Sequence, residues 1–269
     1  MVREFSSSTI LRYRRVKGMK FKVDTHTHTL ASGHAYSTIR EMAEMALEHG
    51  MEAIIFTEHA PMMPDTCGLY YFENLKILPR ERWGIRTFFG AEVNILNNNG
   101  DIDMKEELLK KMDFVIASVH TPCYKSEKTV EAVTEGMIRA MQNPYVNAIG
   151  HPDDDRFPVD YEKLVKAAKE TRTLLEVNNS SMRADNNRVN ADKNIRKMLK
   201  YCKQYGVPIT VGSDSHLDLD AGKLDLAERI LKECDFPEEL VVTTSLEKLK
   251  TFMNRYKNKK SLVLETNLC

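Results

Sequence analysis

Seven times along the chain, a run of β-branched and apolar residues passes through a polar turn into a segment with helical spacing of apolar positions. That alternation is expected of parallel βα units. The strands it predicts are 21–29, 52–57, 86–95, 114–119, 146–150, 173–178 and 208–213. Helices are predicted at 38–49, 105–112, 128–141, 161–171, 191–206, 224–234 and 245–256. The first of these is the most fully punctuated. Thr38 stands at its N-cap position, Ile39, Met42, Ala43, Ala46 and Leu47 form an apolar stripe, and Gly50 ends it.

No linker, low-complexity tract or internal repeat interrupts this series, so residues 20–269 read as one α/β domain, a length that a single barrel or open sheet accommodates. Residues 1–19, with Arg3, Arg12, Arg14, Arg15 and Lys17, read as a poorly ordered basic extension without the apolar stretch of a secretory signal. The long connection is 60–84, which has no clear period and holds Trp83, Tyr70, Tyr71 and Phe72. It reads either as a recognition loop bordering the active site or as a contact between subunits of a homo-oligomer.

Charge and cysteine usage narrow the partners. Lysine plus arginine and aspartate plus glutamate both number 39, and this balance gives no whole-surface attraction to nucleic acid or to a membrane. No run of 18 apolar residues is present to cross a bilayer. The five cysteines (Cys67, Cys123, Cys202, Cys234 and Cys269) form no close pair, which argues against a disulfide framework or a thiolate zinc site and for a reducing, cytoplasmic location.

The chemistry lies with the histidines. In Val23-Asp24-Thr25-His26-Thr27-His28-Thr29, two imidazoles two residues apart project from one strand face and can aim at one point, although two half-buried polar residues would fit the same pattern. The remaining histidines weigh against that alternative. His34 follows the first strand, Glu58-His59 end the second, Glu92 lies in the third, His120 ends the fourth, His151 the fifth, and Asp214-Ser215-His216 the seventh. Seven of eight histidines thus fall at or just beyond strand carboxyl ends, where barrels of βα units build active sites. His49, at the end of a helix beside Gly50, is accounted for by the helix dipole. Nitrogen and carboxylate donors without thiolates suit catalytic zinc, iron(II) or manganese, and nine such residues are enough for roughly three sites if a carboxylate bridges.

With these residues in place the chain resembles the PHP, or polymerase and histidinol phosphatase, superfamily. The resemblance is carried by Asp24-x-His26-x-His28, Thr57-Glu58-His59, Gly90-Ala91-Glu92, Ser118-Val119-His120, Gly150-His151-Pro152 and Gly212-Ser213-Asp214-Ser215-His216. Three further stretches, 34–38, 99–103 and 176–181, resemble the short stand-alone bacterial phosphatases of that superfamily. The resemblance implies a distorted (β/α)7, TIM-like barrel of the PHP fold and a trinuclear centre of divalent ions, zinc first, with Fe2+ or Mn2+ as alternatives. His26, His28, Glu92 and Asp214 would hold one ion. Glu92, His120 and His151 would hold the second, and His34, His59 and His216 the third. Asp24 would orient a ligand, and Asp24, Glu92 and Asp214 form the implied catalytic set.

The implied activity is phosphatase chemistry on a small phosphorylated metabolite, by in-line attack of a hydroxide bridging two ions. Three divalent ions less two carboxylates and one hydroxide leave a charge near plus three, which favours an anionic substrate. Arg156, Arg183, Asn178 and Lys125 are the candidate substrate contacts, with the two arginines as a phosphate clamp or as exposed surface charges. Histidinol-phosphate phosphatase and nucleotide phosphoesterase are alternatives within the same chemistry. A metal-binding module without catalysis is the alternative of another class.

Overall fold

A computed structural model of the chain describes residues 18–254. The N-terminal extension up to residue 17, and the end of the last predicted helix beyond residue 254, lie outside the described residues.

The elements follow the predicted order. They are β1 (Val23–Thr27), α1 (Ile39–Glu48), β2 (Ala53–Phe56), α2 (Leu69–Asn74), β3 (Glu81–Arg82), β4 (Ile85–Phe89), β5 (Ala91–Asn94), α3 (Glu106–Leu109), β6 (Val115–Ser118), α4 (Val130–Met141), β7 (Ala148–Ile149), α5 (Tyr161–Thr171), β8 (Leu174–Asn178), α6 (Ala191–Tyr205), β9 (Ile209–Gly212), α7 (Asp225–Glu233) and α8 (Leu246–Lys250). The α1 cap forms as its sequence predicts: Thr38 Oγ1 accepts from Glu41 N, and Thr38 N donates to the Glu41 carboxylate.

Among the described residues two sheets form, ordered β1-β2-β4-β3 and β5-β6-β7-β8-β9, and every pairing of these strands is parallel except β3 with β4. The third predicted strand is therefore broken, because 86–95 contributes β4 to one sheet and β5 to the other. The break is at Gly90, where an added Cβ would stand 1.9 Å from the carbonyl oxygen of Phe114. Apolar periodicity cannot reveal such a close backbone approach.

The two sheets meet at two seams. At one, Asp214 N donates to His26 O (2.8 Å) and His28 N to Ser215 O (2.9 Å). At the other, Gly90 N donates to Phe56 O, Glu92 N to Glu58 O and Ala60 N to Glu92 O, at 2.8, 2.9 and 2.9 Å. Both seams lie at the carboxyl ends of strands, so the backbone bonds that join the sheets also fix the candidate ligands.

A large apolar cluster packs the helices on the strands. A smaller one gathers Val23, Ala53, Ile116, Ala148 and Leu174, near the starts of five strands, against Val242, Leu246, Leu249 and Met253. The segment around α8 thus covers the strand starts, at the end away from the histidines.

The 60–84 connection is more ordered than its lack of period suggests. It contains α2 and the hairpin β3–β4, whose turn residues Trp83 and Gly84 both have positive φ (56° and 79°), as a tight hairpin turn requires. Cys67 N donates to Ala31 O, and Thr66 Oγ1 donates to His59 O at 2.7 Å, which ties the segment to the loops after β1 and β2.

Candidate metal centre

A register shift in β1 between Asp24 and Thr27 marks a bulge at the first histidine pair, a device that re-aims side chains. His26 Nε2 and His28 Nε2 stand 3.1 Å apart, and both are fully buried. Glu92 Oε1 is 3.4 Å from His26 Nε2, and Glu92 Oε2 is 3.5 Å from His28 Nε2. Asp214 Oδ1 is 3.6 and 3.4 Å from the same two nitrogens. Glu92 Oε1 also meets His120 Nε2 at 3.3 Å and His151 Nε2 at 2.9 Å. His34 Nε2 faces His216 Nε2 at 3.2 Å, and the His34 and His59 rings stack with centroids 4.9 Å apart.

These separations fit cations. Two donors on a tetrahedral zinc with bonds of about 2.0–2.1 Å stand about 3.3–3.4 Å apart. One contact also lacks a hydrogen-bond explanation, since His59 Nδ1 and Glu92 Oε2 are buried 2.7 Å from each other yet make no hydrogen bond of acceptable geometry. Among the described residues, three triads have donor atoms mutually within 4.8 Å: His26, His28 and Asp214; His59, Glu92 and His120; and His28, His59 and His216. His59 therefore lies between the second and third expected ligand groups, with Nδ1 turned to Glu92.

Protonation agrees. Burial alone would push Glu92 up, but His120, His26 and His59 hold it well below the ordinary carboxylate range. Burial likewise opposes ionisation of Asp214, and His26 and Arg188 outweigh it. Burial, reinforced by His59 and His216, pulls His28 well down and His34 to about 4. These imidazoles are neutral and the carboxylates charged, as ligands must be. Burial works against a charge on His26 too, but Glu176, Glu92 and Asp214 raise its pKa, so this point of the cluster favours positive charge.

 The PHP domain profile matches residues 24–182, which carry seven of the nine candidate ligands, while Asp214 and His216 lie beyond it. A probable phosphatase from Acetivibrio thermocellus is 45% identical over 241 residues, covering 90% of this chain and 98% of that one. A probable phosphatase from Clostridium novyi is 41% identical over 247 residues, 92% of this chain and all of its own length. The chain belongs to the PHP domain family. Among solved structures, a histidinol phosphate phosphatase from Lactococcus lactis, complexed with zinc, L-histidinol and phosphate, is similar with a TM-score of 0.58 at 25% identity, over 80% of this chain and 94% of that one. A putative histidinol phosphatase from Listeria monocytogenes, at 17% identity and a TM-score of 0.56, shares the fold.

Behind the candidate ligands of this PHP chain stands a set of partners that sequence reasoning missed. Glu176 is fully buried, with Oε1 2.8 Å from His26 Nδ1, while Oε2 accepts from His151 N at 2.8 Å and from Asn178 Nδ2 at 3.1 Å. Glu58 accepts from Thr29 N, Thr29 Oγ1 and Ser32 Oγ, and Ser32 Oγ lies 3.1 Å from His28 Nδ1. Asn94 Oδ1 is 2.7 Å from His120 Nδ1. Such contacts fix ring angle and tautomer. The available signal was a buried acid at a strand end, since Glu176 and Asn178 share one face of β8.

Asp24, the expected ligand-orienting residue, works on the backbone. Its carboxylate accepts from Ser213 N (2.9 Å), Gly222 N (2.8 Å) and His26 N (3.3 Å), so it fixes backbone at His26 and on either side of Asp214. The candidate substrate contacts have protein partners. Arg183 pairs with Asp185 and Asp220, Arg156 with Asp154, and Lys125 Nζ donates to Pro122 O. Asn178 donates to Glu176 and to Asp214 Oδ2. A cavity of about 530 Å³ adjoins the cluster, lined in part by Tyr36, Asn179, Arg183, Asp214, His216 and Lys223. Arg183 thus reaches the cavity, although its guanidinium is held by carboxylates.

Proposed function

We propose that this chain is a divalent-metal-dependent phosphatase acting on a small phosphate monoester. The observation that carries the reading is the spacing of the buried donor atoms, 2.9–3.6 Å across His26, His28, Glu92, His120, His151 and Asp214, which matches shared ions. In this reading His26, His28, Glu92 and Asp214 hold one ion, Glu92, His120 and His151 a second, and His34, His59 and His216 a third, with zinc first among the candidates. The names of the similar proteins support phosphatase chemistry.

When bound, divalent ions supply Lewis-acid stabilisation and activation of water for phosphoryl transfer. The chain's own residues prepare that chemistry. Glu92 is ionised and offers oxygens to both groups of histidines. Glu176 and Glu58 add about two negative charges and Arg188 one positive to the sequence-based count, so about plus two remains with three ions bound, still favouring an anion. The cavity beside His216 has room for a small leaving group, in the size range of metabolite sites. The seven-stranded barrel, the cytoplasmic location and a homo-oligomeric state belong to the same reading; the free thiols of Cys67, Cys123, Cys202 and Cys234 support the location.

Histidinol phosphate is the second reading, favoured by the Lactococcus lactis likeness and by Asp225 at the cavity, whose carboxylate suits an amine-bearing leaving group. Elemental analysis of the isolated protein, with turnover measured on p-nitrophenyl phosphate and on a panel of sugar, nucleotide and amino-alcohol phosphates including histidinol phosphate, tests both. About three equivalents of metal and metal-dependent release of phosphate are expected. No turnover on any ester would sink the proposal.

A further inference from the structure

We infer that Arg188 is a positioning residue that locks Asp214 into presenting a single oxygen to the metal cluster, an inference that rests on the metal-centre reading above. Arg188 Nη2 donates to Asp214 Oδ2 at 2.9 Å, and Asn178 Nδ2 donates to the same oxygen at 3.2 Å. With Oδ2 held by two donors, Oδ1 is the oxygen that faces His26 Nε2 and His28 Nε2. The guanidinium is itself held: Nη1 donates to Asn178 Oδ1 (3.0 Å) and Ser181 Oγ (2.9 Å). One planar fork therefore ties the end of β8 to the loop after β9, a span that the point charge of a lysine does not reproduce.

The backbone adds to the case. Asp214 has a positive φ of 54°, a conformation that non-glycine residues adopt at a cost and that surrounding contacts must hold. Asp214 N donates to His26 O, so its backbone is fixed from the β1 side while its carboxylate is fixed from the β8 side. Arg188 comes from the loop preceding α6, which is anchored in turn by Val189 N donating to Asp154 Oδ1 (3.1 Å), three residues beyond His151. The Arg188 side chain is 14% exposed, and the cavity lining includes Asp214 and His216 but not Arg188. This placement sets it behind the ligand, away from where a substrate would sit.

The test uses the full chain with Arg188→Met and Arg188→Lys. Metal affinity is measured by competition with a chromophoric chelator, together with thermal melts and steady-state turnover of p-nitrophenyl phosphate at saturating zinc. Arg188→Met should weaken one equivalent of zinc by about 10–100-fold, lower kcat, and leave KM within about two-fold. Arg188→Lys should fall between it and the wild type. In an Asp214→Asn background, Arg188→Met should add little further loss, as expected of two residues acting through one contact. Unchanged zinc affinity, or a KM raised ten-fold with all zinc retained, would overturn the inference, the latter in favour of a substrate clamp. Equal weakening of every equivalent would overturn it in favour of a general structural role. If Arg188→Met does not fold, zinc affinity of Arg188→Lys at the wild-type level overturns the inference and selective loss of one equivalent supports it. Should the wild type turn over no ester, the phosphatase reading fails while the zinc titration still decides the role of Arg188.

Discussion

Replacing Glu176 with glutamine changes one atom in shape and three hydrogen bonds in consequence. The carboxylate serves His26 Nδ1 through Oε1, and His151 N and Asn178 Nδ2 through Oε2. A glutamine has one acceptor oxygen. If that oxygen stays with His151 N and Asn178, the new amide donors face His26 Nδ1 and drive its proton to Nε2, the nitrogen that points at His28 and Glu92. If the amide is flipped, its NH2 meets two donors, and His151 N is left without a partner while Asn178 Nδ2 keeps only Asp214. Each buried unsatisfied group costs about 1–3 kcal/mol, and the lost charge-assisted bond contributes about 1.5–3 kcal/mol. Either arrangement should weaken metal binding about 10–100-fold, the range for loss of a partner to a ligand imidazole. A net loss of about 2 kcal/mol should also lower the melting temperature of the metal-free protein by about 4–8 °C for a domain of this size. Chelator competition reads the first effect and a thermal melt the second. Zinc affinity of Glu176→Gln within about two-fold of wild type would refute the argument, because it would mean that the His26 tautomer is not set from behind.

Three further outcomes follow from the geometry. An added Cβ at Gly212 would stand 2.4 Å from His26 Cβ and 2.5 Å from Glu176 Oε1, so Gly212→Ala should cost about 1–3 kcal/mol and weaken zinc binding; a wild-type melt with full zinc content would count against it. His216→Ala should abolish turnover of phosphate esters and leave circular dichroism unchanged, whereas surviving activity would make the third group of ligands structural. Burial pushes the Cys67 and Cys123 thiols up to about 11, so at pH 8 only about one in a thousand is thiolate. Iodoacetamide mapped by mass spectrometry should therefore modify both far more slowly in the folded than in the unfolded protein, and labelling at the rate of free cysteine would contradict the burial argument.

What the sequence could express was local. A period of two along β1 places His26 and His28 on one face, and strand ends followed by polar turns placed the other histidines at one end of the fold, because those rules need only neighbouring residues. The features it could not express depend on which strand ends converge. Glu176 reaches His26 across 150 positions, and Asp24 reaches Ser213 across 189. The run 86–95 reads as one strand because its apolar content is continuous; the division at Gly90 is imposed by the Phe114 carbonyl, which belongs to another element. Residue type alone leaves Arg183 and Arg156 as either anion clamps or surface charges, and only the fold supplies the carboxylates that hold them. Arg188 shows the same limit in the other direction, since a loop arginine with no motif around it becomes the contact that determines which Asp214 oxygen faces the histidines. The identity of the candidate ligands is thus written along the chain, while their orientation is written between strands, at the two seams where the sheets join.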